Sequence, residues 1–188
     1  MPLPKFIAEI GKNWWQTAEV PSTKKALERA RELVKLAKES GADAVKFQTH
    51  SMDEQNPNVQ IISPHFNKNR YDWIKTICEI TDFHEFWIPL KEYCEDLDIT
   101  FFSTPMSLRA AYLLEDLDVP FWKVGSGDIL DFLMIDFLCE TGKPIILSTG
   151  MSSIEEIKQS ISFIQKKWQV LNTIERNLTI LHLSLIHI

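Results

Sequence analysis

The fold of this chain is decided by one stretch, Val119-Pro120-Phe121-Trp122-Lys123-Val124-Gly125-Ser126-Gly127-Asp128. Its first half is a short apolar run that predicts a buried strand, and a single lysine, Lys123, interrupts that run. Two glycines flank Ser126 directly after the strand, and glycine lets backbone N–H groups approach an anion closely. Lys123 adds a positive charge, Ser126 a hydroxyl, and Asp128 a carboxylate that can act as acid or base. The stretch indicates an anion site at a strand end, but alone it is equally compatible with a tight turn beside a half-exposed lysine.

The composition is that of a soluble globular domain. The 188 residues are 45% hydrophobic and 24% charged, which suffices for one domain with a real core. The net charge of −6 comes with no basic block, so we expect no nucleic acid partner. The three cysteines are far apart and predict reduced thiols. No signal peptide and no membrane-spanning apolar run are recognised, so we expect a cytoplasmic protein that does not insert into membranes.

Short apolar strands alternate with helical patterns along the chain. Such strands are typical of a buried parallel sheet. No glycine-rich dinucleotide fingerprint follows the first strand. Six strands do not close an eight-stranded barrel, so the pattern predicts either an open sheet or a barrel whose chain is cut short. The predicted strands cover residues 6–11, 43–50, 99–102, 121–124, 144–147 and 178–182.

The predicted helices have recognisable starts. Ser22 and Ser107 are expected N-caps, and Ser153 begins a capping box. Asp82 is a further expected cap, but Pro89 lies within the pattern that follows, which predicts a helix that starts later or kinks. Residues 51–70 form a long polar connection, and loops of that length often carry function.

Polar residues gather where the predicted strands end, and in parallel α/β folds ligands bind at that edge. Two strands also carry an interior lysine, Lys46 and Lys123, and the first strand carries Glu9. Glu9 is expected to pair with one of these lysines, to face a polar site, or to do both. A buried ion network that merely fills the barrel is the alternative interpretation of these charges. The polar strand ends are Gln48-Thr49, Ser103-Thr104, Ser126 to Asp128, and Ser148-Thr149.

Five segments together resemble the sialic acid synthase family, which includes N-acetylneuraminate synthase and relatives that make other nonulosonic acids. They occur in the family's order and spacing and extend over most of the chain. Each segment alone is a weak signal, whereas the five in register are a strong one. The segments are FIAEIGKN (6–13), GADAVKFQT (41–49), FSTP (102–105), KVGSGD (123–128) and GKPIILSTGM (142–151).

The resemblance implies a TIM-type (β/α)₈ barrel that makes a carbon–carbon bond. The family condenses phosphoenolpyruvate with N-acetylmannosamine or a related amino sugar, an N-acylated hexosamine, and releases phosphate. The product is a sialic acid-type nonulosonic acid, so the resemblance also places the protein in carbohydrate biosynthesis. A divalent metal, Mn²⁺ or Mg²⁺, polarises the sugar aldehyde in the family.

The resemblance also assigns site residues in this chain. Glu9 and Asp128 match the catalytic carboxylates of the family, and Gln48 is expected to contact substrate. The positions that match phosphoenolpyruvate-binding residues are Lys46, Thr104, Lys123, Ser126 and Ser148.

The chain departs from the family pattern in two places. Trp14-Trp15-Gln16 replaces a His-Asn-Gly run after the first strand, which leaves sugar specificity open there. The match also stops near His182, before the family's two metal-binding histidines, strands seven and eight, and the antifreeze-like domain. His182 and His187 are not expected to be metal ligands in their place.

We therefore expect residues 1–188 to form a partial synthase barrel, truncated after about strand six, whose metal ligands lie outside this chain. Residues 183–188 do not fit the family and are interpreted as a foreign tail. Such a fragment is expected to be inactive alone, and the full-length protein is expected to be a homodimer. The alternative is a non-catalytic partial barrel that binds a phospho-ligand.

Overall fold

The computed structural model describes residues 6–15, 19–52, 62–63, 68–172 and 177–182. Strands and helices alternate in it as the sequence predicts. The strands are β1 (Ile7–Gly11), β2 (Ala44–Thr49), β3 (Ile62–Ser63), β4 (Lys68–Asn69), β5 (Thr100–Pro105), β6 (Trp122–Val124), β7 (Ile145–Ser148) and β8 (Leu178–Leu181). The helices are α1 (Thr23–Glu39), α2 (Arg70–Ile80), α3 (Ile88–Asp96), α4 (Leu108–Asp116), α5 (Phe132–Glu140) and α6 (Ile154–Val170).

Two parallel three-stranded sheets carry the fold. Their strand orders are β1-β2-β5 and β6-β7-β8, and β3 pairs with β4 in a small antiparallel ribbon within the long connection. β5 lies beside β6, and the Phe102 and Phe121 rings meet across this boundary with centroids 4.5 Å apart. Within the described ranges, β1 and β8 pair on one side only. All six strands predicted from the sequence are thus confirmed, in sequence order.

Both faces of the sheets carry apolar side chains, because successive side chains of a strand point to opposite faces. One face packs under the helices and forms the main core, with buried residues such as Val45, Phe47, Phe101, Trp122 and Leu147. The opposite face holds a second, smaller cluster. Its members are Ala44, Phe102, Phe121 and Ile146.

The predicted N-caps are confirmed. The Ser22 hydroxyl accepts a hydrogen bond from the Lys25 amide at 3.4 Å. The Ser107 hydroxyl accepts one from the Ala110 amide at 3.2 Å. Ser153 forms the full capping box that begins α6. Each such cap stabilises its helix by about 1 kcal/mol.

Asp82 caps a different element from the one predicted. Its Oδ1 accepts from the His84 and Glu85 amides at 2.8 and 2.9 Å, and a π-helical turn, Phe83–Trp87, follows. The α-helix begins only at Ile88, which places Pro89 in the first turn of α3. Proline is tolerated there because its missing N–H would be unpaired anyway. The late start predicted from Pro89 is therefore confirmed.

The third predicted strand is too short at its carboxyl end. Ser103, Thr104 and Pro105 belong to β5 and are not a turn after it, since the pairing with β2 continues to Thr49 opposite Pro105. Ser103 Oγ lies 2.8 Å from Thr49 Oγ1, and this buried hydrogen bond satisfies both hydroxyls. The polar residues therefore extend the strand.

No helix in the described part of the chain combines the length and the apolar character needed to cross a membrane.

Candidate active site

A cavity of about 920 Å³ lies at the carboxyl ends of the parallel strands. Phe102 and Ile146, two of the four residues of the smaller apolar cluster, line it. All eight site residues predicted from the sequence line this one cavity. They are Glu9, Lys46, Gln48, Thr104, Lys123, Ser126, Asp128 and Ser148.

Strand register explains why these residues converge. Glu9 on β1 lies opposite Lys46 on β2, and Gln48 lies opposite Thr104 on β5. Lys46 and Gln48 are two positions apart, so they share the inward face. A one-residue slip of β2 would turn both toward the helices instead.

Lys46 is held by two partners on the neighbouring strands. Its Nζ forms an ion pair with Glu9 Oε2 and donates a hydrogen bond to Thr104 Oγ1 at 3.1 Å. The Lys46 side chain is 11% exposed, whereas that of Glu9 is 52% exposed. The sequence left open which lysine Glu9 would pair with, and the structure selects Lys46. The arrangement fixes one cation at the cavity wall.

Lys123 is buried and not half exposed, which excludes the surface-turn interpretation of the central stretch. Its Nζ donates to the Val124 carbonyl at 2.8 Å. Burial lowers the pKa of Lys123 from 10.5 to about 8, and the Lys46 ammonium adds to this effect, while Glu9 and Asp128 oppose it. Lys123 is therefore mostly protonated at pH 7. Its carboxylate neighbours do not fully balance its positive charge, as an anion site requires.

Asp128 ends the short 3₁₀ turn Ser126–Asp128 and faces the same cavity. Burial raises its pKa from 3.8 to about 6, the nearby Asp131 carboxylate adds to the rise, and Lys123 opposes it. A carboxyl group with a pKa near 6 can both hold and release a proton close to neutral pH.

Two glycines leave room for the site carboxylates. A Cβ on Gly125 would lie 2.9 Å from Asp128 Oδ2. Gly11 has a φ of +55°, and a Cβ on it would lie 3.1 Å from Glu9 Oε1. The pairing of β1 shifts register between Glu9 and Gly11, so the glycine permits the bulge that ends the strand. A side chain at either position would displace a carboxylate.

Sequence reasoning missed some of the cavity lining. Arg70, Met106 and Met151 line the cavity beside the predicted residues. Arg70 is the first residue of α2, immediately after the long polar connection. The Asn69 side chain accepts from the Tyr71 amide at 2.8 Å, and this cap was the available sequence signal for a helix starting at Arg70.

The tryptophans after β1 pack against neighbouring elements. Trp14 is buried against Phe86, with ring centroids 5.4 Å apart. Trp15 stacks on Trp73 at 6.1 Å, and Lys12 Nζ lies 4.1 Å from the Trp73 ring. Neither Trp14 nor Trp15 lines the cavity at the strand ends. Gln16, His187 and the proposed tail at 183–188 lie outside the described residues.

Residues 33–185 match the family model described as the NeuB family. The chain belongs to the NeuB family. The match covers β2 and every later strand named above and contains four of the five resembling segments, while the segment 6–13 precedes it. It also extends to residue 185, so residues 183–185, interpreted above as part of a foreign tail, lie within the family match.

Two relatives of this NeuB family chain are named as synthases. The chain is 31% identical over 164 residues to N-acetylneuraminate-9-phosphate synthase of Homo sapiens, covering 85% of this chain and 43% of the relative. It is 31% identical over 169 residues to pseudaminic acid synthase of Helicobacter pylori, covering 87% of this chain and 46% of the relative. The chain thus spans less than half the length of these two relatives.

The fold of this NeuB family chain is similar to that of a solved sialic acid synthetase. The structure of N-acetylneuraminic acid (sialic acid) synthetase from Leptospira borgpetersenii superposes with a TM-score of 0.70 at 24% identity. The match covers 95% of this chain and 53% of that one. The α/β architecture with parallel sheets is therefore shared with that enzyme.

The described residues do not fit a metal site. No group of three or more histidine, cysteine, aspartate or glutamate side chains comes together in the described part of the chain. In the cavity Glu9 is engaged by Lys46, and a cation beside a carboxylate competes with a metal ion for it. His182 lines the same cavity, but these donors do not form a ligand set.

Proposed function

We propose that this chain is the amino-terminal part of a sialic acid-type synthase that condenses phosphoenolpyruvate with N-acetylmannosamine or a related N-acylated hexosamine. The observation that carries the proposal is the convergence of Lys46, Lys123 and Asp128 on one cavity at the strand ends. The proposal includes a TIM-type barrel of which this chain supplies the first six strands. It also includes a cytoplasmic location, since both substrates are soluble metabolites, and a homodimer of the complete protein, which the family resemblance implies.

The cavity matches the charge of phosphoenolpyruvate. That substrate carries a phosphate and a carboxylate, and such groups bind best to cations and hydroxyl donors. Lys46 and Lys123 are the buried cations, and the hydroxyls of Thr104, Ser126 and Ser148 line the wall around them. Because Glu9 already balances Lys46, the uncompensated positive charge belongs chiefly to Lys123.

The proposed reaction forms one carbon–carbon bond and breaks one carbon–oxygen bond. C3 of phosphoenolpyruvate attacks the aldehyde carbon of the open-chain sugar, and the carbonyl oxygen gains a proton to become a hydroxyl. Water then adds to the cation left at C2, which forms a new carbon–oxygen bond, and loses one proton. The bond between C2 and the phosphate oxygen then breaks, the remaining proton of the C2 hydroxyl passes to the departing phosphate, and a ketone is left at C2. The sum is phosphoenolpyruvate, sugar and water giving a nine-carbon keto acid and phosphate.

Asp128 is the residue we assign to proton transfer in this reaction. In its acid form it donates to the developing sugar hydroxyl, and in its base form it takes the proton of the attacking water. Its pKa of about 6 keeps both forms accessible near neutral pH. Glu9 orients Lys46 and contributes its second oxygen to the cavity.

In the family a divalent metal polarises the sugar aldehyde. We assign no residue of this chain to that metal, because the described side chains do not group as a metal site.

A phospho-ligand-binding partial barrel is the second candidate function. It is favoured by the unpaired outer edges of β1 and β8 in the described ranges, which leave the cavity incomplete on that side. In this case the lysines bind a phosphorylated ligand and no bond is made.

The test is phosphate release by the complete protein supplied with phosphoenolpyruvate, N-acetylmannosamine and Mn²⁺. We expect sugar-dependent release, and its loss in Lys46→Met. Lys158→Met, an exposed change on α6, is the matched control and should retain full activity. If the protein binds phosphoenolpyruvate but no N-acylated hexosamine causes phosphate release, the second candidate is favoured.

A further inference from the structure

Arg70 is a cation of the strand-end cavity that the reaction described above does not use. It lines the cavity together with Lys123 and Asp128, yet it belongs to none of the strands. It is the first residue of α2, which follows the long polar connection after β2. A connection of that length does not fix where a helix begins in space. The position of Arg70 therefore depends on the contacts made by the first turn of α2.

The first turn of α2 is held by the turn that follows β1. Trp73 lies three residues after Arg70, on the same side of the helix. The Trp15 ring stacks on the Trp73 ring with an interplanar angle of 18°, and Lys12 Nζ lies 4.1 Å from the centre of the Trp73 ring. The Trp15 amide also donates a hydrogen bond to the Lys12 carbonyl at 3.0 Å. The end of β1 and the start of α2 are thus linked through one aromatic ring.

The half-buried Lys12 ammonium faces His50, Trp73 and Arg70. Its Nζ lies 3.4 Å from Nε2 of His50, the residue directly after β2. Burial, assisted by the nearby charge of Arg70, lowers the pKa of Lys12 from 10.5 to about 8. An unprotonated imidazole nitrogen and an aromatic face both attract an ammonium, whereas a guanidinium repels it. Trp73 and His50 therefore hold a charge that Arg70 opposes.

The ammonium on the Trp73 ring limits where the Arg70 side chain can go. An arginine one helical turn from a tryptophan readily stacks its guanidinium on the ring. In this chain Lys12 occupies the ring and repels a second cation from it. The exposed Arg70 side chain instead lines the cavity at the strand ends. Lys12 does not line that cavity, so it contacts no ligand there directly.

We propose that Lys12 is a positioning residue: its ammonium, held on the Trp73 ring, fixes the first turn of α2 and directs the Arg70 guanidinium into the strand-end cavity, where that group binds an anionic substrate. The proposal rests on the proposed function, since phosphoenolpyruvate is the anion expected there. A planar guanidinium can pair with a carboxylate or a phosphate through two parallel hydrogen bonds. The turn after β1 thus acts on substrate binding without touching the substrate.

The experiment is calorimetric titration of the complete protein with phosphoenolpyruvate at pH 7. A cation on an aromatic ring changes an equilibrium constant by about twofold to thirtyfold, depending on its burial. We expect Lys12→Met to weaken binding by at least about threefold, and Lys12→Arg to bind within about twofold of the wild type, because arginine keeps a charge on the ring. Lys24→Met, an exposed change on α1, is the matched control and should leave binding unchanged.

Two further measurements separate positioning from a general loss of stability. If Lys12 acts through Arg70, the Lys12→Met change should have no further effect in a protein that already carries Arg70→Ala. In protein labelled with fluorotryptophan, the ¹⁹F resonance of Trp73, assigned with Trp73→Phe, should shift with a midpoint near pH 8 as Lys12 loses its proton. That titration should be absent from Lys12→Arg.

The proposal is overturned if Lys12→Met binds phosphoenolpyruvate as the wild type does, if its effect is as large without Arg70 as with it, or if the Trp73 resonance does not respond near pH 8. It is also overturned if Lys12→Arg binds as weakly as Lys12→Met. Binding that depends on Lys12 and Arg70 but leads to no sugar-dependent phosphate release refutes the synthase function and supports the positioning role. A wild-type protein that binds no phosphoenolpyruvate refutes both.

Discussion

Replacing Lys123 by methionine separates the functional interpretation of the buried charges from the structural one. Burial lowers the pKa of Lys123 from 10.5 to about 8, so its charged form is less stable in the folded protein than in the unfolded chain. The shift corresponds to a destabilisation of about 3 kcal/mol, at 1.36 kcal/mol per pKa unit. Methionine removes that penalty and is close in length and volume.

The pH dependence of this penalty follows from the linkage between folding and protonation of Lys123. Because the folded-state pKa is the lower one, the penalty is fully present below about pH 8 and disappears as the pH rises toward 10.5. Methionine loses the hydrogen bond to the Val124 carbonyl, which stabilises by about 1 kcal/mol. We therefore expect Lys123→Met to be more stable than the wild type by about 2 kcal/mol at pH 7, with less gain at pH 9.5.

The same substitution should weaken binding of phosphoenolpyruvate. Hydrogen bonds to charged groups contribute about 1.5–3 kcal/mol each, so losing one or two weakens binding by at least about tenfold. The assays are urea denaturation of the complete protein at pH 7 and pH 9.5 and calorimetric titration with phosphoenolpyruvate. A variant that is less stable at pH 7 and binds the ligand with unchanged affinity would refute the reasoning and support a buried ion network that only fills the barrel.

Two other predictions follow from the geometry of Asp128. Asp128→Asn should lower kcat by about 10²–10⁴ and remove the limb of the pH–rate profile near pH 6, because the amide cannot transfer the proton; an unchanged profile would exclude Asp128 from proton transfer. Gly125→Ala should reduce kcat at least tenfold while leaving the circular dichroism spectrum unchanged, since the new Cβ would lie 2.9 Å from Asp128 Oδ2 on a backbone that alanine readily adopts. Full activity in that variant would show that the observed carboxylate position is not required.

Much of the fold could be predicted because its signals are local. Ser22, Ser107 and Ser153 each precede an apolar helical pattern, and all three cap the expected helix. The end of β5 was missed because Ser103 and Thr104 are usual turn residues. Their place in the strand depends on hydrogen bonding to β2, which no local pattern contains.

The candidate site could be predicted in part for a similar reason. Residues at strand ends were found because parallel strands bring their carboxyl ends to one edge. The choice of Lys46 over Lys123 as the partner of Glu9 depends on the register of β1 against β2, which the sequence alone did not specify. Arg70 was missed because it comes from a helix after a long connection, and its approach to the cavity depends on tertiary packing.

The most direct test of the central claim is a reaction of the complete protein with phosphoenolpyruvate labelled with ¹³C at C3, N-acetylmannosamine and Mn²⁺, followed by carbon and phosphorus NMR. We expect the label to become the C3 methylene carbon of a nine-carbon keto acid while inorganic phosphate appears in equal amount. Label found only in pyruvate, or phosphoenolpyruvate left unchanged while it binds, would contradict carbon–carbon bond formation at this site.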